Sequence, residues 1–234
     1  MLVVGTVITN AQTADEIIQK HIKAIGGSEN WKKIKSLKMS GTVKAGDKEF
    51  PVTITTLNGK GQKVEFTLDG KQGYEVLTTS AGWAFNPADG ESKIESMPAE
   101  MVKGSQDQLD IQGPLIDYKA KGNKVEFTGK EQIAGADCYK LKVTNKNGKE
   151  ETMYINASTY YHVRSVEKVK GEGGKEGEAI SDYSNYQKLP EGIAFPMFVE
   201  SDGGPVTFQS IKINIPVDES IFKKPAGLDK SAGK

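Results

Sequence analysis

The first periodic stretch of the chain has the apolar spacing of a helix. Thr13 is followed three positions later by Glu16, the spacing of a capping box that closes the amino end of a helix. Apolar residues then recur three and four positions apart, as on one helix face: Ile17, Ile18, Ile22 and Ile25. Gly26 and the glycine after it are a helix-stop signal. The pattern therefore predicts one amphipathic helix that packs its isoleucine face on a core.

From Leu37 onward the hydrophobic period changes to two, which is typical of strands with one buried and one wet face. The alternating stretches are 37–43, 50–54, 64–68, 72–79, 81–86, 123–133, 137–145, 150–156, 159–169, 178–188, 193–200 and 205–215. Short turns join them, and the pairs Asn58-Gly59 and Asn147-Gly148 are strong hairpin signals. The pattern predicts roughly 11–12 strands in an antiparallel meander.

One stretch, 96–115, interrupts the strand pattern. Pro98 can begin a helix, and Met101, Val102 and Leu109 form a weak apolar stripe. This segment is predicted to contain one or two helices. A sheet with one apolar face must cover that face, and two helical segments cover only part of a sheet this long. The pattern leaves two solutions open, a sheet packed on a sheet and a curled sheet around a cavity.

Composition narrows the class of protein further. The 234 residues suit a single mainly β domain, which we place at 12–225, with 226–234 as a disordered tail. Lys+Arg and Asp+Glu both number 31, and Arg164 is the only arginine. A balanced charge carried almost entirely by lysine argues against nucleic-acid binding and against a phosphate clamp.

The amino terminus, residues 1–11, is an apolar run that ends in small residues. It resembles the core and cleavage site of a secretory signal without the basic segment, so we interpret it as the remnant of a signal peptide. The alternative is the first strand of the domain. The run is too short to cross a membrane as a helix. We expect an exported, soluble protein with no transmembrane segment.

The residues that usually carry chemistry are few. His21, His162 and Cys138 lie far apart in the sequence, so no metal-site spacing appears, and no nucleophile, P-loop or dinucleotide motif is present. We therefore expect no metal, no cofactor and no enzymatic activity. A Ser–His–Asp site needs no local motif and stays open as an alternative.

Large apolar side chains on the predicted strands and on the 96–115 segment are the best candidates for a binding site. They are Met39, Val64, Phe66, Leu68, Trp83, Phe85, Met101, Leu109, Phe127, Phe195, Met197 and Phe208. Ordinary core packing explains such a set, and so does the lining of an apolar ligand cavity.

Five stretches between residues 14 and 225 carry a resemblance to a known family: ADEIIQKHIKAIGG, GPLIDYKAKGNKVEFTGKE, INASTYYHVRSVEK, DYSNYQKLPEGIAFP and INIPVDESIFKKP. In these the chain resembles the outer-membrane lipoprotein-sorting proteins, the LolA/LolB-like periplasmic carriers, in a long variant. None of the stretches is a catalytic signature, so the resemblance lies in fold and pattern.

The resemblance implies an unclosed antiparallel β-barrel, a half-barrel whose concave apolar face is covered by helices that form a lid. It implies a periplasmic carrier that binds lipoprotein acyl chains, or another lipid, in that cavity. Inner- or outer-membrane envelope proteins are the partners it suggests, and we expect a monomer. Carriers of this family hold the lid with an arginine on an early strand, and here Lys63 is the nearest basic residue.

Two other functions stay open beside the carrier. The first is a scaffold module of the cell envelope that docks on a protein partner and fills its concave face with its own side chains. The second is a hydrolase with an unrecognised site, which would depend on His162.

Overall fold

The computed structural model describes residues 13–89, 94–170 and 176–225, so the expected export segment and tail lie outside the described residues. Within these ranges the α-helices are α1 (Ala14–Ala24), α2 (Ser28–Lys32) and α3 (Ala99–Gly104). The predicted capping box is present, because the Thr13 hydroxyl accepts from the Glu16 amide while the Glu16 carboxylate accepts from the Thr13 amide.

Strands make up most of the fold, and thirteen lie within the described ranges. They are β1 (Ser36–Ala45), β2 (Lys48–Leu57), β3 (Gly61–Leu68), β4 (Lys71–Thr78), β5 (Gly82–Phe85), β6 (Ile94–Ser96), β7 (Lys124–Ile133), β8 (Ala136–Thr144), β9 (Glu150–Asn156), β10 (His162–Lys170), β11 (Glu176–Lys188), β12 (Ala194–Ser201) and β13 (Val206–Ile213). The predicted meander of roughly 11–12 strands is confirmed. The addition is β6, whose three residues are too short to show a period.

All the described strands form one antiparallel sheet in the order β6-β5-β4-β3-β2-β1-β13-β12-β11-β10-β9-β8-β7. Two meanders, β1–β6 and β7–β13, are joined by the pairing of β1 with β13. In the described part of the chain β6 and β7 are the edge strands and do not pair with each other. The expected unclosed antiparallel barrel is therefore confirmed.

The three helices lie against one face of this sheet, which we call the inner face. Residues paired across neighbouring strands share a face, so the register assigns every strand position to the inner or the outer face. Ile17 and Ile18 of α1 pack on Leu141 and Ile155 of β8 and β9. Trp31 of α2 and the loops beside it enclose a second cluster, with Ile25, Ile34, Ile116 and Ile193 at its centre. The isoleucine stripe thus has the role that its spacing predicts.

The segment after β6 covers another part of the inner face. Val102 of α3 and Leu109, which ends a short 3₁₀ helix at Gln106–Leu109, pack on Leu77 of β4. The helical prediction for 96–115 is confirmed. The outer face has its own cluster, where Phe222 of the C-terminal segment packs on Val76 and Trp83.

Candidate functional site

A row of apolar side chains on the inner face belongs to none of the five buried clusters in the described ranges. We call this row the apolar trough: Met39, Val52, Ile54, Val64, Phe66, Leu68, Met197, Val199 and Phe208. One wall of the trough is formed by β1–β3, where Ile54 of β2 pairs with Met39 of β1 on one side and with Val64 of β3 on the other. Val52, Met197 and Phe208 are buried, and the other six are half-buried. The trough is therefore an apolar surface outside the helix-packed clusters, although Val64 also shares a small cavity with Met101 of α3.

Strand β12 shows where the helix-packed core ends and the trough begins. Ile193, just before the strand, is fully buried in the α2 cluster, and the Phe195 ring stacks on Trp31 with 6.0 Å between centroids. Met197 and Val199 follow on the same face outside that cluster. The alternating large apolar residues of this strand therefore have two roles. The first ones pack in the core under α2, and the later ones form part of the trough wall.

Six of the twelve predicted site residues lie in the trough: Met39, Val64, Phe66, Leu68, Met197 and Phe208. Phe127 and Phe195 share the inner face but pack in the helix-covered clusters. Met101 and Leu109 belong to the segment after β6 that covers part of the inner face, which we call the covering segment. Met101 is 55% exposed, and Leu109 is buried on Leu77.

The remaining two, Trp83 and Phe85, lie on the outer face. Trp83 pairs with Val76 and packs under Phe222, while the Phe85 ring lies against Tyr74 at 5.8 Å between centroids. The physical reason is the register of β5 with β4, which turns the odd-numbered residues of this short strand outward. Neither residue can line a ligand site on the inner face.

Lys63 is also on the outer face, so it does not hold the covering segment. Its ammonium pairs with Glu65 at 2.8 Å and lies over the Tyr74 ring at 5.4 Å. The covering segment is held by other groups. The Gly59 amide donates to the Leu109 carbonyl at 2.8 Å, and the Gln106 side-chain amide donates to the Thr78 carbonyl at 3.1 Å.

Two cavities adjoin the covering segment. The larger has a volume of about 620 Å³ and lies between the turns 58–60 and 145–149, which belong to opposite halves of the sheet. The smaller, about 230 Å³, is lined by Val64 and Met101 among others. Of the twelve predicted residues only Leu109 lines the larger cavity. Sequence reasoning missed this cavity because it joins two turns far apart in the chain and has mostly polar side chains.

His162 and Ser165 lie together on the inner face of β10, which bears on the hydrolase alternative. His162 Nε2 is 3.0 Å from Ser165 Oγ and 2.8 Å from the Arg164 carbonyl oxygen. A carbonyl only accepts, so Nε2 carries the proton and donates to it. Nε2 therefore cannot accept the Ser165 proton, and Ser165 instead donates to the Glu151 carboxylate. In this arrangement the histidine does not activate the serine.

The pKa of His162 predicts how stability changes with pH. Burial, and secondarily the neighbouring His21, lowers this pKa from 6.5 to about 3. Between these two values the unfolded chain binds more protons, so the free energy of unfolding falls as the pH drops below 6.5. We expect a loss of about 1–2 kcal/mol between pH 7 and pH 5 from this residue.

Urea unfolding followed by tryptophan fluorescence at the two pH values measures this loss. His162→Gln keeps a side-chain donor for the Arg164 carbonyl but cannot be protonated, so its stability should fall less steeply with pH. Equal slopes for the variant and the unchanged protein would show that His162 does not titrate as described.

Cys138 is fully buried on the outer face, packed with Ile133 and Tyr154, and burial raises the pKa of its thiol. Across the described ranges no group of three His, Cys, Asp or Glu side chains could hold a metal ion. None of the helices in those ranges is long and apolar enough to cross a membrane.

Comparisons with known proteins agree with this fold. The sequence matches no protein-family model and no curated protein. Among solved structures, a LolA superfamily protein from Nitrosomonas europaea is similar with a TM-score of 0.55 and 14% identity, covering 92% of this chain and 99% of that one. A DUF1329 family protein from Desulfovibrio piger has a TM-score of 0.57 and 12% identity, covering 91% and 98%.

A third solved structure is a putative outer membrane lipoprotein-sorting protein domain from Vibrio parahaemolyticus. Its TM-score is 0.51 at 13% identity, and the match covers 88% of this chain and 94% of that one. At such low identity these likenesses show the fold alone. They confirm the LolA-like fold that the sequence resemblance predicts.

Proposed function

We propose that the protein is a non-enzymatic carrier that binds acyl chains, of lipoproteins or of another lipid, in the apolar trough. The observation that carries the proposal is the trough itself, a row of large apolar side chains outside the helix-packed clusters, six of them partly exposed. Each methylene that leaves water for such a surface contributes about 0.8 kcal/mol, so an acyl chain gains affinity without any catalytic group.

The cell envelope is the compartment in which such a carrier is needed. One of the similar structures is described as a putative outer membrane lipoprotein-sorting protein domain, which supports a role in the cell envelope. There the carrier would exchange its lipid with inner- or outer-membrane envelope proteins, and we propose that it does so as a monomer.

An envelope scaffold is the second candidate, and a specific observation favours it. A large part of the inner face is filled by the protein's own residues, since α1, α2 and the loops beside them cover β7–β9 and the start of β12. In a scaffold the trough would be a docking surface for a protein partner and would bind no lipid.

Native mass spectrometry separates the two candidates. The protein is purified from a bacterial envelope without detergent, and its bound lipids are extracted and identified. We expect a bound mass that yields acyl chains. As a second measurement, cis-parinaric acid should bind at one saturable site. A protein free of lipid that also fails to bind cis-parinaric acid contradicts the carrier and favours the scaffold.

A further inference from the structure

The larger cavity has a lining unlike that of the trough. Its side chains include several amides, among them Asn58, Gln106, Asn123 and Asn145. Leu109, Val143 and Pro114 also line it, but Leu109 and Val143 are buried, so Pro114 gives most of the apolar side-chain surface among these three. A volume of about 620 Å³ is within the usual range of small-molecule sites, about 300–1,000 Å³.

The fold uses only one end of each of these four amides. Asn58 Oδ1 accepts from the Ile111 amide at 3.0 Å, and Asn145 Oδ1 accepts from the Lys149 amide at 3.0 Å. The NH₂ groups of both side chains have no hydrogen-bond partner among the described contacts.

The other two amides are used the opposite way round. Gln106 Nε2 donates to the Val102 carbonyl at 2.9 Å, and Asn123 Nδ2 donates to the Pro114 carbonyl at 3.0 Å. Their oxygens have no bond among the described contacts. The lining therefore contains two amide NH₂ groups and two amide oxygens without a partner among the described contacts, on side chains that the fold has already positioned, which lowers the entropic cost of binding.

Glu151 adds a carboxyl group to the same wall. It is half-buried, its Oε1 accepts from the Ser165 hydroxyl, and its Oε2 has no partner among the described contacts. Burial, with the charge of Glu167 as a smaller cause, raises the pKa of this carboxyl. A ligand hydroxyl could bond this group in either protonation state, because hydroxyls both donate and accept.

Ionic ligands are not favoured here, since the charged side chains of the lining sum to zero, with Lys121, Lys146 and Lys149 against Asp107, Asp110 and Glu151. Lys121 pairs with Asp110 at 2.6 Å, and Lys149 pairs with Asp107 at 2.8 Å. A peptide strand is not favoured either, because backbone amides of both turns are already bonded. Gly59 donates to the Leu109 carbonyl and Gly148 to the Asn145 carbonyl. Without a free strand edge, an extended peptide cannot add to the sheet at this point.

We propose that this cavity is a binding site for a neutral polyhydroxylated group, a sugar unit. Its hydroxyls would bond the free amide ends and Glu151, and an apolar face of its ring would lie on Pro114, the partly exposed apolar residue of the lining. The sugar could be the headgroup of a glycolipid or a free oligosaccharide. The site does not depend on the lipid role of the trough.

Isothermal titration calorimetry on the full chain tests the proposal with maltose, trehalose and N,N′-diacetylchitobiose as probes. We expect at least one of them to bind at one saturable site. Gln108→Ala and Glu151→Ala should each weaken that binding by about tenfold, because each removes a lining side chain whose polar atoms are not all bonded within the fold. Gln108 is an exposed lining residue, so its variant should fold normally. Gln72→Ala, on the outer face, is the matched control and should change nothing.

A short-chain glucosyl diacylglycerol, used below its micelle concentration, distinguishes the two sources. If Phe66→Asp weakens its binding while disaccharide binding persists, the sugar is a lipid headgroup. If Phe66→Asp affects neither, the site serves free sugars. The proposal is overturned if no disaccharide binds, if neither Gln108→Ala nor Glu151→Ala weakens the binding relative to the unchanged protein, or if tetra-alanine binds as well as the sugars. Because the disaccharides have no acyl chain, these outcomes are independent of whether the trough carries lipid.

Discussion

Phe66→Asp should abolish the binding of cis-parinaric acid, with an affinity loss on the order of 100-fold. Phe66 lies in the middle of the trough wall, where it pairs with Val52 on one side and Gly73 on the other. A carboxylate there must lose its hydration when an acyl chain covers it, at a cost of several kcal/mol, and tenfold in affinity is about 1.4 kcal/mol.

Thr67→Asp is the matched control for this experiment. Thr67 is the next residue of β3 and lies on the outer face, so the same charge is added to the same strand away from the trough. Its affinity for cis-parinaric acid should be unchanged. Circular dichroism and urea unfolding must show that both variants fold, since the Phe66 ring also covers Gly73. A folded Phe66→Asp protein that binds as before would exclude the trough as the lipid site.

Gly26→Ala should destabilise the protein by about 3 kcal/mol or more. Gly26 has φ of +106° and lies where the chain passes from α1 to α2. A Cβ atom at this position would be 2.1 Å from the Gly192 carbonyl oxygen and 2.7 Å from the Ile193 Cα. Both neighbours are backbone atoms that cannot rotate away, so the helix and the start of β12 would have to separate.

Gly27→Ala isolates the steric part of that effect. Gly27 also has a positive φ, +86°, but a Cβ atom there has no neighbour within 4 Å. Its cost should be limited to backbone strain, about 1–3 kcal/mol, because φ of +86° with ψ of 147° is a conformation that other residues avoid. Urea unfolding followed by tryptophan fluorescence measures both variants, because Trp31 packs next to the turn between α1 and α2. Equal losses would mean that the contact between Gly26 and Gly192 contributes nothing to stability.

The strands could be predicted from the sequence because each buries one face, and alternation then marks which residues of a strand lie together. Alternation does not say which of the two sets points inward. For β3 the larger apolar residues decide it, and Val64 and Phe66 are on the inner face as expected. For β5 the choice depends on pairing with β4, a tertiary contact, and Trp83 therefore lies outward.

Lys63 could have been placed correctly from its own strand. It alternates with Val64 and Phe66, so period two alone assigns it to the opposite face. The latch role came from the resemblance and conflicts with the register. The larger cavity had no comparable signal, because Asn58 and Asn145 come to line one cavity only after the sheet has curled. Turn residues such as these are expected at hairpins for local reasons, and their sequence carries no mark of a shared site.

The pairing of β1 with β13 has a consequence for biosynthesis. Each meander consists of neighbouring strands in sequence and can form locally, whereas Leu37 must find Ile213 at the far end of the domain. Such non-local pairing is slow, because a long loop has to close before any contact stabilises it. The walls of the trough come from β1–β3 on one side and β12–β13 on the other. The trough is therefore not complete until β13 has been synthesised and has paired with β1, and the nascent chain lacks this surface before then.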